Sequence, residues 1–85
     1  MPELSRFLGI VTTMYYRDHS PPHFHAFYGE HEGVIDISNG AVRGRLPGRA
    51  LSLVQEWRVL HRQELLQAWA LAAVQEPLPT IAPLE

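Results

Sequence analysis

The sequence predicts an α+β domain in which a three- or four-stranded antiparallel meander carries helical structure on one face. Three observations support this class. Residues 7–46 hold short β-branched and aromatic runs separated by glycine, proline and asparagine; residues 49–75 show a helical apolar period; and prolines recur in residues 76–85. A chain of 85 residues is long enough for one domain, so residues 1–85 are predicted to fold together.

The strands are predicted from the N-terminus onward. Residues 7–16, FLGIVTTMYY, form the first strand, and the prolines at 21 and 22 make a stiff, extended corner after it. Residues 23–29, HFHAFYG, then alternate between two faces of a second strand. One face is predicted to carry Phe24, Ala26 and Tyr28, and the other His23, His25 and Phe27.

Two further strands complete the meander. Residues 33–37, GVIDI, are predicted to return beside the histidine strand, and the SNG sequence at 38–40 indicates a hairpin turn. In the following strand, 41–46, Arg43 and Arg45 share one side. If the strands pair in this order, both arginines face the same side of the sheet as the histidines.

Residues 49–75 are predicted to be helical, because their apolar side chains fall within an arc of about 140° at 100° per residue. A single helix of that length would reach about 40 Å, which is long for so small a domain. We therefore expect a bend or break near residues 60–64, or a helix that projects and pairs with a second copy in a homodimer. Residues 76–85 are predicted to be an extended tail.

Composition excludes several classes of function. The chain has no cysteine, so a metal would have to bind to imidazole and carboxylate groups. A net charge of −2 argues against broad nonspecific binding to nucleic acid, although the absence of lysine makes every fixed cation a guanidinium suited to phosphate or carboxylate. No signal peptide or membrane span is expected, which favours a cytoplasmic protein.

The segments MPELSRFLGI, MYYRDHSPPHFHAFYGE, LPGRAL and PLPTIAPLE resemble the bacterial family known as domain of unknown function 4160. The resemblance runs from Met1 to the C-terminus, and its PPHFH core is specific. Members of that family resemble one half of a small two-gene pair. The resemblance therefore implies a component of a toxin–antitoxin-like pair, with a small protein partner encoded by a neighbouring gene.

The histidines around the double proline suggest a metal site. His23 and His25, two residues apart on a strand, project to the same side, and His19 lies across the corner from them. With Asp36 as an oxygen ligand, and Asp18 or His31 as alternatives, these side chains could hold a divalent transition metal such as zinc. Three protein ligands with an open fourth position are typical of hydrolytic zinc sites.

A second interpretation needs no metal. A ribonuclease-type site requires an acid or base near the 2′-hydroxyl group and a cation on the phosphate. In this hypothesis His23 or His25 exchanges the proton, Arg43 and Arg45 bind RNA phosphate, and Tyr16 or Tyr28 assists. Whether the chain is an enzyme is left open by the residues alone.

The third interpretation is a non-catalytic protein-interaction module, in which the histidines only donate hydrogen bonds to the loop and the aromatic residues fill the core. The two chemical hypotheses share one geometric expectation that this one lacks. They require the rings of His23 and His25 to stand exposed together on the face opposite the helices.

Overall fold

The computed structural model describes residues 2–85, so Met1 lies outside the described residues. It contains a five-stranded sheet followed by two helices. The strands are β1 (Glu3–Phe7), β2 (Ile10–Thr13), β3 (His23–Tyr28), β4 (His31–Asp36) and β5 (Val42–Arg45), and the helices are α1 (Gly48–Leu60) and α2 (Arg62–Ala73). The α+β class is confirmed.

The sheet is an antiparallel meander with strand order β1-β2-β3-β4-β5. The prediction of three or four strands was wrong, because the segment 7–16 is not a single strand. The chain reverses at Leu8 and Gly9, whose φ angles of 51° and 83° are those of a two-residue hairpin turn. Leucine is an unusual residue at positive φ, so the sequence carries a weak signal for this turn.

The strand register decides which side chains share a face. His23 pairs with Asp36, His25 pairs with Val34, and Val34 pairs in turn with Arg43. Directly paired residues project to the same side of an antiparallel sheet. His23, His25, Asp36 and Arg43 therefore lie on one face, which we call the polar face, and Arg45 joins them through its pairing with Glu32.

The opposite face carries the core. Phe24, Ala26 and Ile35 point into it and are fully buried against Trp57 of α1 and the apolar side of α2. Trp57 packs edge-on against Phe24, with a distance of 5.5 Å between the ring centroids. Burial of these large apolar side chains is the main favourable contribution to folding.

The helical segment breaks at His61, within the predicted 60–64 region. His61 has φ −116° and ψ 24°, outside the helical range, and ends α1 before α2 begins at Arg62. Its ring donates from Nδ1 to Glu64 Oε1 at 2.6 Å across the first turn of α2. Neither helix of residues 2–85 has the length and hydropathy needed to cross a membrane.

Residues 76–85 adopt neither helix nor strand, and they pack on the core beside β1. Ile81 and Leu84 are buried, and the Ile81 N–H donates to the Leu4 carbonyl at 2.8 Å. The Trp57 indole N–H donates to the Ala82 carbonyl at 2.9 Å. The segment thus satisfies the one polar atom of the largest core side chain.

Candidate metal centre

The segment between β2 and β3 folds back over the polar face. Arg17 takes a left-handed conformation with φ 54°, which turns the chain sharply, and its N–H donates to the Ala72 carbonyl of α2 at 3.1 Å. The Ser20–Pro21 bond is cis. Asp18 lies beside the start of β3, with its Oδ2 close to the rings of His23 and His25.

His23 is held from both sides of its ring. Its Nδ1 donates to the Pro21 carbonyl at 2.7 Å, and its Nε2 lies 2.9 Å from Asp18 Oδ2. The Trp69 ring of α2 closes one side, with a centroid distance of 5.0 Å. Because a carbonyl can only accept, Nδ1 carries a proton, and Nε2 is the nitrogen that faces the carboxylate.

The His25 ring, like that of His23, directs its Nε2 toward Asp18. Its Nδ1 donates to Glu32 Oε2 at 3.1 Å, while its Nε2 lies 4.0 Å from Asp18 Oδ2. That Nε2 is buried and forms no hydrogen bond with any group of residues 2–85. A buried polar atom without a partner is costly, so its position beside a carboxylate requires an explanation.

The surroundings of the Asp18 carboxylate favour its anionic form. Burial acts to raise its pKa, but hydrogen bonds from the His19 backbone N–H and the His23 ring, together with the positive charge of these histidines when protonated, outweigh burial. The pKa of Asp18 is consequently held below its ordinary value. The carboxylate is therefore ionised at neutral pH, the form that binds cations.

One carboxylate oxygen and two imidazole nitrogens converge at this point. The ligand atoms of Asp18, His23 and His25 all lie within 4.8 Å of one another. The ligand atoms of a tetrahedral zinc ion, each about 2.1 Å from it, are about 3.4 Å apart. The two Asp18–histidine distances, 2.9 and 4.0 Å, lie on either side of that value. Two histidines and one carboxylate suit zinc or another divalent first-row metal.

The Nδ1 contacts complete this arrangement. Metal-binding histidines usually donate their second ring N–H to a carboxylate or a backbone carbonyl, which fixes the tautomer and the ring orientation. His25 donates to a carboxylate and His23 to a carbonyl. Both rings therefore present Nε2 to Asp18, and the residues fit a metal ion on the chemistry of their donor atoms.

Comparison with known proteins identifies the family. The family model described as "Domain of unknown function (DUF4160)" matches residues 9–70. This chain belongs to the DUF4160 family. No curated protein and no solved structure matches it. The matched residues include Asp18, His23, His25 and Glu32, so the whole cluster lies within the DUF4160 domain.

The histidine pair of this DUF4160 chain lies together but is not exposed. His23 and His25 are only 4% and 9% exposed, so the expectation that they stand open on the surface was wrong. The overlying loop covers them, and the Tyr15 ring packs edge-on against His25 at a centroid distance of 4.7 Å. They nevertheless lie outside the hydrophobic core, on the opposite face of the sheet.

The structure changes the predicted set of ligands. The His19 side chain is 74% exposed, and its Nδ1 lies 2.9 Å from the other oxygen of Asp18, Oδ1. Its ring centroid is 5.6 Å from that of His23. Asp36 shares the polar face, but its Oδ1 accepts the N–H groups of Ser38 and Asn39 in the hairpin turn. Neither residue belongs to the cluster, whose carboxylate comes from Asp18.

Of the predicted tyrosines and arginines, only Arg43 lies in a groove with one of the two histidines. Tyr28 lies on the other face of β3, beside Gly9, and is therefore separated from the histidines. Tyr16 is part of the exposed loop surface. Arg43 lines a groove with His23, whereas Arg45 does not.

Sequence reasoning missed several contributors. Glu32 could have been found from strand pairing, since it lies two residues before Val34 on the same face as His25. Asp18 was noted only as an alternative, because the path of a loop cannot be deduced from residue periodicity. Trp69 comes from a helix 44 positions beyond His25, and no local signal in the sequence connects them.

Proposed function

We propose that this DUF4160 domain binds one divalent transition metal ion, such as zinc, through Asp18 Oδ2, His23 Nε2 and His25 Nε2. The observation that carries the proposal is the buried, unpartnered Nε2 of His25, which faces a carboxylate that is already ionised. An ion at this point would give that nitrogen its missing partner.

The metal-free arrangement explains why the cluster favours a cation. The Nδ1 proton of His23 is donated to the Pro21 carbonyl. The ring therefore needs a second proton, on Nε2, if it is to donate a hydrogen bond to Asp18. A metal ion can take the place of that proton and bind His25 at the same time. On binding, the three polar atoms that face one another would all become ligands of one metal ion.

Three protein ligands leave at least one position of the ion open. The ion would supply Lewis-acid chemistry or activate a bound water molecule there. The protein fixes the donor atoms, excludes solvent from one side through Tyr15 and Trp69, and keeps Asp18 anionic. The protein partner, the RNA contact and the homodimer of the sequence analysis stay predictions.

The test is calorimetric titration of zinc into the full chain after any histidine tag has been removed. We expect saturable binding of one ion per chain. Asp18→Asn and His25→Gln each remove one ligand and should weaken binding by at least about tenfold. His31→Gln is the matched control, because His31 pairs with Tyr28 and lies away from the cluster.

Cobalt gives an independent readout, since its visible spectrum depends on the number and geometry of its ligands. Circular dichroism of each variant would verify that the fold is retained. The proposal would be rejected if the wild-type chain bound zinc no more tightly than the Asp18→Asn and His25→Gln variants. It would also be rejected if His31→Gln weakened binding as much as they do.

A further inference from the structure

A groove of about 340 Å³ opens on the polar face beside His23. Small-molecule sites commonly begin at about 300 Å³, so the groove is large enough for a ligand of roughly nucleotide size. Its walls combine apolar surface from Pro21, Val34 and Ala41 with polar groups from His19 and Arg43. It is adjacent to the candidate metal centre because the two share His23.

The groove is lined by one guanidinium group, that of Arg43, and one carboxylate, that of Asp36. Arg43 is exposed and forms no ion pair with any of the residues 2–85. Asp36 also lines the groove, but its Oδ1 is occupied by the N–H groups of the following turn. A guanidinium group without a partner is suited to a forked contact with an oxyanion.

Strand pairing sets the separation between Arg43 and the cluster. His25 and Arg43 both pair with Val34, one from each side, so they are two strands apart on the same face. Neighbouring strands are about 4.8 Å apart, which puts the two Cα atoms at about 10 Å. The flexible arginine stem and a small tetrahedral group can together bridge that distance over Val34.

We propose that the groove binds a phosphate ester, with one phosphate oxygen on the metal ion and another on Arg43. This inference rests on the proposed metal site. A phosphate ester offers several non-bridging oxygens in a tetrahedral arrangement, so it can contact two cations that approach from different directions. A carboxylate has two oxygens in one plane and matches this pair of cations less well. The apolar walls would contact the organic part of the ester.

The experiment titrates phenyl phosphate into the zinc-loaded chain, with benzoate as the ring-matched carboxylate. We expect saturable binding of phenyl phosphate and at least tenfold weaker binding of benzoate. Arg43→Ala should weaken phenyl phosphate binding by about tenfold or more while leaving zinc affinity unchanged. Arg62→Ala, which removes an exposed arginine of α2, is the charge-matched control and should change neither value.

The metal-free chain separates this inference from the metal site itself. Loss of phenyl phosphate binding without zinc would support the bridged geometry. Equal binding without zinc, equal binding of benzoate, or an Arg43→Ala variant that binds normally would overturn it, even if zinc titration showed a normal site. Absence of zinc binding would instead reject the metal centre.

Two sources of the phosphate ester can be distinguished in the same assay. Uridine monophosphate represents a free nucleotide, and a short single-stranded oligoribonucleotide represents RNA. Tighter binding of the oligonucleotide, with an affinity that falls as salt rises, would assign the site to RNA. Tighter binding of the mononucleotide would assign it to a small molecule. Failure of both to bind the zinc-loaded chain would contradict the inference.

Discussion

The two faces of β3 are almost equally buried, but burial has different consequences on each. Phe24 is fully buried on the core face, and the adjacent His23 is 4% exposed on the polar face. An apolar ring gains free energy simply by leaving water. An imidazole must recover its lost hydrogen bonds, and His25 recovers only one of two. The apolar rings of the core face therefore need no further partner, whereas the His25 Nε2 on the polar face is left without one.

The largest expected effect concerns the core face. Phe24→Ala should lower the free energy of unfolding by about 3–5 kcal/mol, because it leaves a cavity beside Trp57. The loss should be the same with and without zinc, as measured by urea denaturation. Because a domain of this size is stabilised by only about 4–13 kcal/mol, Phe24→Leu provides a milder variant. A zinc-dependent loss would contradict the separation of the two faces.

On the polar face we expect a different pattern. His25→Leu should change metal-free stability by less than about 1 kcal/mol, or raise it, since the unpartnered nitrogen is removed. In zinc at 100 times its dissociation constant, the wild-type chain should gain about 2.7 kcal/mol of stability, and a variant whose affinity is at least tenfold weaker should gain about 1.4 kcal/mol or less. Urea denaturation with and without zinc measures both values. A variant that is strongly destabilised without zinc would show that His25 is a structural residue.

Glu32 should affect metal affinity rather than folding. Glu32→Gln keeps an acceptor for the His25 Nδ1 proton but loses its charge, so zinc binding should weaken by about tenfold. Unfolding without zinc should be almost unchanged, because Glu32 is exposed. Glu30→Gln, in the adjacent turn, is the control in the same titration. Equal effects of the two variants would mean that Glu32 acts only through its overall charge.

The smallest effect should appear at acid pH. The pKa of Asp18 is lowered in the folded state, so its contribution to metal-free stability is complete above the ordinary value of 3.8. This contribution is lost as the pH falls through the lowered folded value. The difference in stability between the wild type and Asp18→Asn should therefore be constant near neutrality and shrink at the acid end. A difference that grew on acidification would contradict the assigned direction.

The parts of the structure that follow from local periodicity were predictable. Alternation along β3 and the pairing of its neighbours placed His23, His25, Asp36 and Arg43 on one face, as the register shows. The same alternation assigned Tyr28 to the opposite face, so its proposed role beside the histidines conflicted with the pattern itself. The break at His61 was one of the two outcomes expected from the length of the helical segment, the other being a projecting helix.

The parts that depend on chain reversal were not predictable. The turn at Leu8 and Gly9 was hidden because a leucine at positive φ does not resemble a turn residue. Asp18 replaces Asp36 in the cluster because the loop folds back, supported by the Arg17–Ala72 hydrogen bond, and a single sequence does not encode that contact in any short pattern. The covering of the histidines has the same cause.

The placement of the two tryptophans gives each face its own fluorophore. Trp57 packs on Phe24 in the core, and Trp69 lies 5.0 Å from the His23 ring. In a Trp57→Phe variant the tryptophan fluorescence would come from Trp69 alone. Cobalt quenches nearby indoles, so its binding should lower the intensity of this fluorescence. In Trp69→Phe the remaining emission should follow unfolding and respond less to cobalt. One chain thus carries separate optical reporters for occupancy and for folding.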